Sequence, residues 1–93
     1  MSTATTVRIP TALRTLTAGA GEVSVDGSTV EEILKGLDAA HPGMAERLFD
    51  DAGALRRFVN VFVADEDIRF LNGLSTPVAD GQTVSIIPAV AGG

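Results

Sequence analysis

Apolar and polar residues alternate in several stretches of this chain and fall at helical spacing in one. Residues 6–10, Thr-Val-Arg-Ile-Pro, place Val7 and Ile9 on one side, the period-two pattern of a strand with one buried face. Pro10 suits the end of that strand, because it has no N–H for a ladder. Leu13 and Leu16 are expected to extend the apolar contact, and Gly19-Ala20-Gly21 to form a turn. Residues 22–26 alternate again with Val23 and Val25 inward. The short separation of the two strands predicts a hairpin.

The helical signal follows Asp26-Gly27. Ser28 and Glu31 have the spacing of a capping box. Val30, Ile33, Leu34 and Leu37 then form one apolar stripe, and Glu31 can pair with Lys35 one turn on. Pro42-Gly43 stops the pattern, so a helix is predicted over 29–41. Met44, Leu48 and Phe49 predict a short helical turn covering a core edge, with a loop over 50–53.

Residues 57–63 form the strongest strand pattern, with Val59, Val61 and Val63 on one face and Phe58, Asn60 and Phe62 on the other. Asp65-Glu66-Asp67 reads as a polar turn and Ile68-Arg69-Phe70 as a short strand. Gly73, Pro77 and Asp80-Gly81 punctuate the next stretch. Residues 82–88 make the final strand, with Val84 and Ile86 inward and Ile87 outward. Residues 89–93 have no periodicity and no large side chain beyond Val90, so a mobile tail is expected.

The order strand, strand, helix, strand, short strand, strand predicts an α+β fold: a mixed sheet of four to five strands with one main helix packed across it. That is the ubiquitin-like β-grasp outline, with 1–88 as the domain and 89–93 as the tail. A ferredoxin-like fold is the rival, but it needs a second full helix, which residues 44–52 supply weakly.

Composition narrows the chemistry. The 93 residues suit one domain. A net charge of −5 argues against nucleic acid as a partner, since phosphate binding needs clustered Lys and Arg. Arg56-Arg57 reads as a solvated turn before a strand. With no cysteine there is no disulfide, thiolate metal site or cysteine nucleophile. No apolar run approaches the roughly 20 residues that span a bilayer, and Met1–Thr6 lacks the pattern of a signal peptide. A cytoplasmic protein without membrane contact is expected.

Catalytic equipment is sparse. His41, at the helix end, has no assignable acid–base partner, and a position near a helix C-terminus already favours it. Asp65, Glu66 and Asp67 lack the ligand spacing of a calcium loop. No phosphate-cradling Gly-x-x-x-x-Gly-Lys segment is present. These readings argue against an autonomous enzyme and against any metal or cofactor held by this chain.

Gly92-Gly93 is the remaining unusual feature. Glycine averages about 7% of residues, so such a pair ends about 0.5% of chains by chance and is a weak signal alone. The α-carboxyl is ionised at neutral pH, its ordinary pKa being near about 3.5, and a carboxylate is a poor acyl electrophile. Joined to AMP it becomes a mixed anhydride, and a sulfur nucleophile can displace AMP to leave a thiocarboxylate. Glycine lacks a Cβ and so fits a narrow channel. Five extended residues reach about 17 Å.

Several segments together resemble the ThiS/MoaD sulfur carriers: Val59-Asn60-Val61-Phe62-Val63, Asp65-Glu66-Asp67-Ile68-Arg69-Phe70, Thr76-Pro77-Val78-Ala79-Asp80-Gly81, and Ile86 through Gly93. Val7-Arg8-Ile9-Pro10-Thr11 and the stretch from Glu46-Arg47-Leu48 to Arg57-Phe58-Val59-Asn60 look most like the CysO branch. The resemblance covers nearly the whole chain and is most specific in its C-terminal third. It implies a β-grasp fold and a Gly-Gly end that a ubiquitin-activating-like enzyme adenylates with ATP and converts to a thiocarboxylate.

For the CysO branch the resemblance further implies a pyridoxal-phosphate cysteine synthase that accepts the sulfur onto O-phosphoserine-derived aminoacrylate. A zinc-dependent JAMM-type peptidase then releases cysteine. ATP, zinc and pyridoxal phosphate would belong to those partners, and the free carrier would be a monomer. Gly93 would carry the sulfur, and Gly92, Ala91, Val90 and Ala89 would occupy a partner's channel. Phe62 and Ile87 point away from the core by strand parity and form a candidate partner-binding surface, unless residues 44–56 cover them. Alternatives are a molybdopterin synthase small subunit, a carrier for a thiosugar-type pathway, and, in another class, a ubiquitin-like protein modifier.

Overall fold

The computed structural model describes residues 4–57, 59–79 and 81–88. β1 (Ala4–Arg8) and β2 (Glu22–Asp26) pair antiparallel, with Val7 opposite Val23 and Thr5 opposite Val25. The first strand starts and ends two residues earlier than its pattern predicts. Ala4 and Thr5 still find partners in Asp26 and Val25, whereas Pro10 opens a 3-10 helix over Thr11–Thr17. That helix, absent from the sequence reading, links the two strands. Leu13 and Leu16 pack from it against the core as expected.

α1 spans Val30–Ala40, and its stripe of Val30, Ile33, Leu34 and Leu37 is fully buried. Burying such side chains contributes roughly 1.5–3 kcal/mol each. The capping pair sits one residue later than predicted. Thr29 is the N-cap, its Oγ1 accepting from the Glu32 N–H at 3.2 Å. The Glu32 carboxylate in turn accepts from the Ser28 N–H at 2.8 Å and the Ser28 hydroxyl at 2.9 Å. The shift has a tertiary cause: the Ser28 carbonyl accepts from Val78 N–H at 2.9 Å, which holds Ser28 outside the helix. Glu31 is left to pair with Lys35 at 3.5 Å. His41 closes the helix, donating its backbone N–H to the Leu37 carbonyl.

α2 (Met44–Leu48) is the expected short turn over the core edge, with Met44 and Leu48 buried. β3 (Val59–Val63) buries its three valines; Phe58, part of the predicted strand, lies outside the described residues. β4 is the two-residue Glu66–Asp67. Ile68–Phe70, read from sequence as a strand, is instead a 3-10 turn. The Asp67 carboxylate accepts from the Arg69 N–H at 2.9 Å, which bends the chain where alternation alone predicts extension. β5 (Thr83–Pro88) buries Val84 and Ile86.

Among the described residues the strands form one sheet in the order β2-β1-β5-β3-β4. β1 and β5 run parallel at its centre, and the other pairs are antiparallel. α1 covers one face, closing a core that includes Val7, Val25, Leu34, Val61 and Ile86. Central parallel strands of distant sequence, gripping one long helix, make this the ubiquitin-like β-grasp and not the ferredoxin-like alternative.

Candidate functional site

β5 is the strand that leads toward Gly93. It is an interior strand with β1 on one side and β3 on the other; β1 pairs with it only as far as Ser85, so its last three residues are paired with β3 alone. Pro88 stands opposite Val59, and Ile87 opposite Asn60. Ala89, Val90, Ala91, Gly92 and Gly93, the residues expected to carry the chemistry, lie outside the described residues. The described part of the site is therefore its root and the surfaces around it.

Sheet register brings the two expected surface residues together. Val61 pairs with Ile86 and Val63 with Val84 on the core face, so Phe62, Ser85, Asn60 and Ile87 share the opposite face. Phe62 lies across from Ser85, which makes Ile87 its diagonal neighbour, on the order of 7–8 Å away. Ile87 is 48% exposed and Phe62 is half-buried. α2, the helical part of the segment that could have covered them, packs against α1.

The same face carries charge. Arg8, opposite Ser85 on β1, pairs with Glu22 at 3.4 Å. A shallow groove of about 240 Å³ between the ends of β1 and β5 is lined by Arg8, Ile9, Pro10, Ser85, Ile87 and Pro88, among others. A larger hollow of about 630 Å³ lies beside α2, among Glu46, Arg47, Asp50, Asp51 and Arg56, and includes none of the expected site residues.

Two features escaped the sequence reading. Phe70 is 87% exposed while Ile68 is 1% exposed; strand parity would have put both on one face, and the 3-10 turn separates them. Arg69 reaches across to β3, its Nη1 donating to Asn60 Oδ1 and its Nη2 to the Val59 carbonyl at 2.9 Å. The Asp two residues before it was the available signal, since Asp side chains cap such turns. Among the described residues no cluster of three or more His, Asp or Glu side chains is placed to hold a metal ion. No described helix is long and apolar enough to cross a membrane.

The model of the ThiS family matches residues 7–93. This chain belongs to the ThiS family. Within it, the sulfur carrier protein CysO of Mycobacterium tuberculosis is 51% identical over 90 residues, covering 95% of this chain and 97% of that one. The fold superposes on a chain of the Amycolatopsis orientalis BexX/CysO complex with a TM-score of 0.90 at 49% identity, covering 96% and 99% of the two chains. Small archaeal modifier protein 3 of Haloferax volcanii is 40% identical over 68 residues, 73% of each chain. ThiS-family membership and CysO-like character, expected from the C-terminal third and the middle segment, are both borne out.

Proposed function

We propose that this protein is a sulfur carrier whose Gly93 carboxylate is the working group. The observation that carries the reading is the 51% identity, over 95% of the chain, to a protein named as a sulfur carrier, in a family match that runs through Gly93. In the proposed cycle a Gly93 oxygen attacks the α-phosphate of ATP and pyrophosphate leaves. A sulfur nucleophile then attacks the acyl carbon, AMP departs, and the C-terminus becomes a thiocarboxylate. The chain is a co-substrate in this scheme. A ubiquitin-activating-like enzyme supplies the adenylation.

The fold supports the scheme physically. β5, paired with β1 as far as Ser85 and with β3 as far as Pro88, precedes a five-residue segment that would reach about 17 Å when extended. Gly92 and Gly93 let its end enter a narrow channel, with Ala89, Val90 and Ala91 behind them. Ile87 and Phe62 supply an apolar contact for the enzyme outside that channel, where a few buried anchors dominate affinity.

For the sulfur acceptor we infer a cysteine synthase that uses O-phosphoserine, with a JAMM-type peptidase releasing the product. The CysO likeness supports this over a molybdopterin synthase or a thiosugar-type pathway. ATP, zinc and pyridoxal phosphate act in those partners. A second reading, a ubiquitin-like modifier, has the likeness to the archaeal modifier protein in its favour. The two diverge after adenylation, one leading to a thiocarboxylate and the other to isopeptides on lysine. The first step is tested by carrier-dependent exchange of pyrophosphate into ATP with candidate activating enzymes. Exchange that requires this chain and is lost on deleting Gly92 and Gly93 supports the reading. Exchange that survives the deletion rejects it.

A further inference from the structure

Arg69 is bound to the strand that backs the root of the C-terminal segment. Its own N–H is fixed by the Asp67 carboxylate. Its guanidinium then reaches three acceptors: Asn60 Oδ1, the Val59 carbonyl at 2.9 Å and the Arg56 carbonyl at 3.4 Å. Val59 and Asn60 are the two β3 residues that face Pro88 and Ile87, the last two residues of β5.

The backbone at this rung explains why such a grip matters. Val59 donates its N–H to the Arg56 carbonyl at 2.9 Å, and its own carbonyl accepts from Arg69. Both polar groups of Val59 therefore point away from β5, as they do in a non-hydrogen-bonded antiparallel pair. Pro88 has no N–H to contribute. The final rung has no backbone hydrogen bond between its two residues. β4 pairs only with Phe62 and Val63, so among the described residues no strand lies beside the outer edge of β3 at Val59. Arg69 occupies that edge instead.

We propose that Arg69 is a positioning residue for the C-terminal segment. By holding Val59 and Asn60 it fixes the β3 side of the last two rungs of β5, and with it the position of Ile87 and Pro88, from which the chain continues toward Gly93. The proposal rests on the carrier reading for its consequence but not for its geometry. A planar guanidinium with five donors can serve three acceptors together, whereas a lysine ammonium is a compact point charge on a flexible stem. Charge alone should not replace it.

Arg69→Met, Arg69→Lys and Asn60→Ala are the test variants. They are read by melting temperature, by residual dipolar couplings of the Ile87 and Ala89 amides, and by kinetics of ATP-dependent activation. Misdirection of a reacting group lowers turnover more than binding, and small misplacements can cost up to 100-fold. The expected result for both Arg69 variants is a kcat reduced about ten-fold with KM within about two-fold, together with altered couplings. Asn60→Ala should show the same direction with a smaller loss.

A purely structural arginine would lower the melting temperature while the folded fraction kept wild-type kcat, KM and couplings; that result overturns the proposal, as does full rescue by lysine. If wild-type protein is never activated, the carrier reading falls, and the dipolar couplings alone decide whether Arg69 directs the segment.

Discussion

Asn60 and Ile87 stand opposite each other on the sheet face turned away from α1, one rung before Pro88, the last residue of β5. Their position places an exposed apolar side chain immediately beside the root of the C-terminal segment. Ile87→Asp should therefore weaken capture by an activating enzyme without unfolding the domain. The expected change is a KM raised at least about ten-fold, the scale of losing one anchor residue, with an unchanged melting temperature. Phe62→Asp should act in the same direction. Wild-type kinetics in both variants would remove this face from the interface.

Gly36 lies in the middle of α1, where alanine ordinarily adds about 1 kcal/mol of stability. Here a Cβ would stand 2.8 Å from Val25 Cγ1. Val25 is 7% exposed and stiff at χ1, so it cannot easily give way. Gly36→Ala is expected to destabilise by roughly 1–3 kcal/mol, the usual cost of overpacking. In the Val25→Ala background the same change should cost less or become favourable. Denaturant unfolding of the four proteins measures the coupling.

Glu32 ties the helix start together, and its pKa is lowered from the ordinary glutamate value, first by the Ser28 backbone N–H, then by the Ser28 hydroxyl. A depressed carboxylate pKa stabilises the fold at pH values above the unfolded pKa, and that contribution is lost as pH falls through the folded value. Glu32→Gln should thus be less stable than wild type at neutral pH. The gap should narrow as pH drops below the ordinary glutamate range, near about 4.3. Parallel stability–pH curves for the two proteins would contradict this.

Gly92 is proposed to pass through a channel too narrow for a branched side chain. Gly92→Val should abolish or strongly reduce activation and leave the melting temperature unchanged, because the substitution lies four residues past Pro88, the last residue of β5. Activation at the wild-type rate would show that backbone access at this position is not limiting.

Much of this architecture was legible in the residue pattern. The stripe Val30, Ile33, Leu34, Leu37 and the alternating valines of β3 specify buried faces directly, and the structure buries each of them. What was not legible depended on partners distant in sequence. The helix cap moved from Ser28 to Thr29 because Val78 claims the Ser28 carbonyl, a contact no local pattern reveals. Ile68–Phe70 looked like a strand because two apolar residues flank a polar one. An aspartate side chain one residue earlier turned it into a 3-10 turn. At the site, strand parity placed Ile87 outward correctly, but it could not show that Arg69 reaches back to β3. The proposed role of Gly93 rests on chemistry and family likeness.

The most direct measurement is the intact mass of this protein after incubation with ATP, a sulfur donor and a cognate activating enzyme. The carrier account predicts a gain equal to exchanging one oxygen for sulfur, mapped by fragmentation to Gly93 and absent from the chain lacking Gly92 and Gly93. An unmodified C-terminus after incubation with an enzyme shown to adenylate this chain would contradict it.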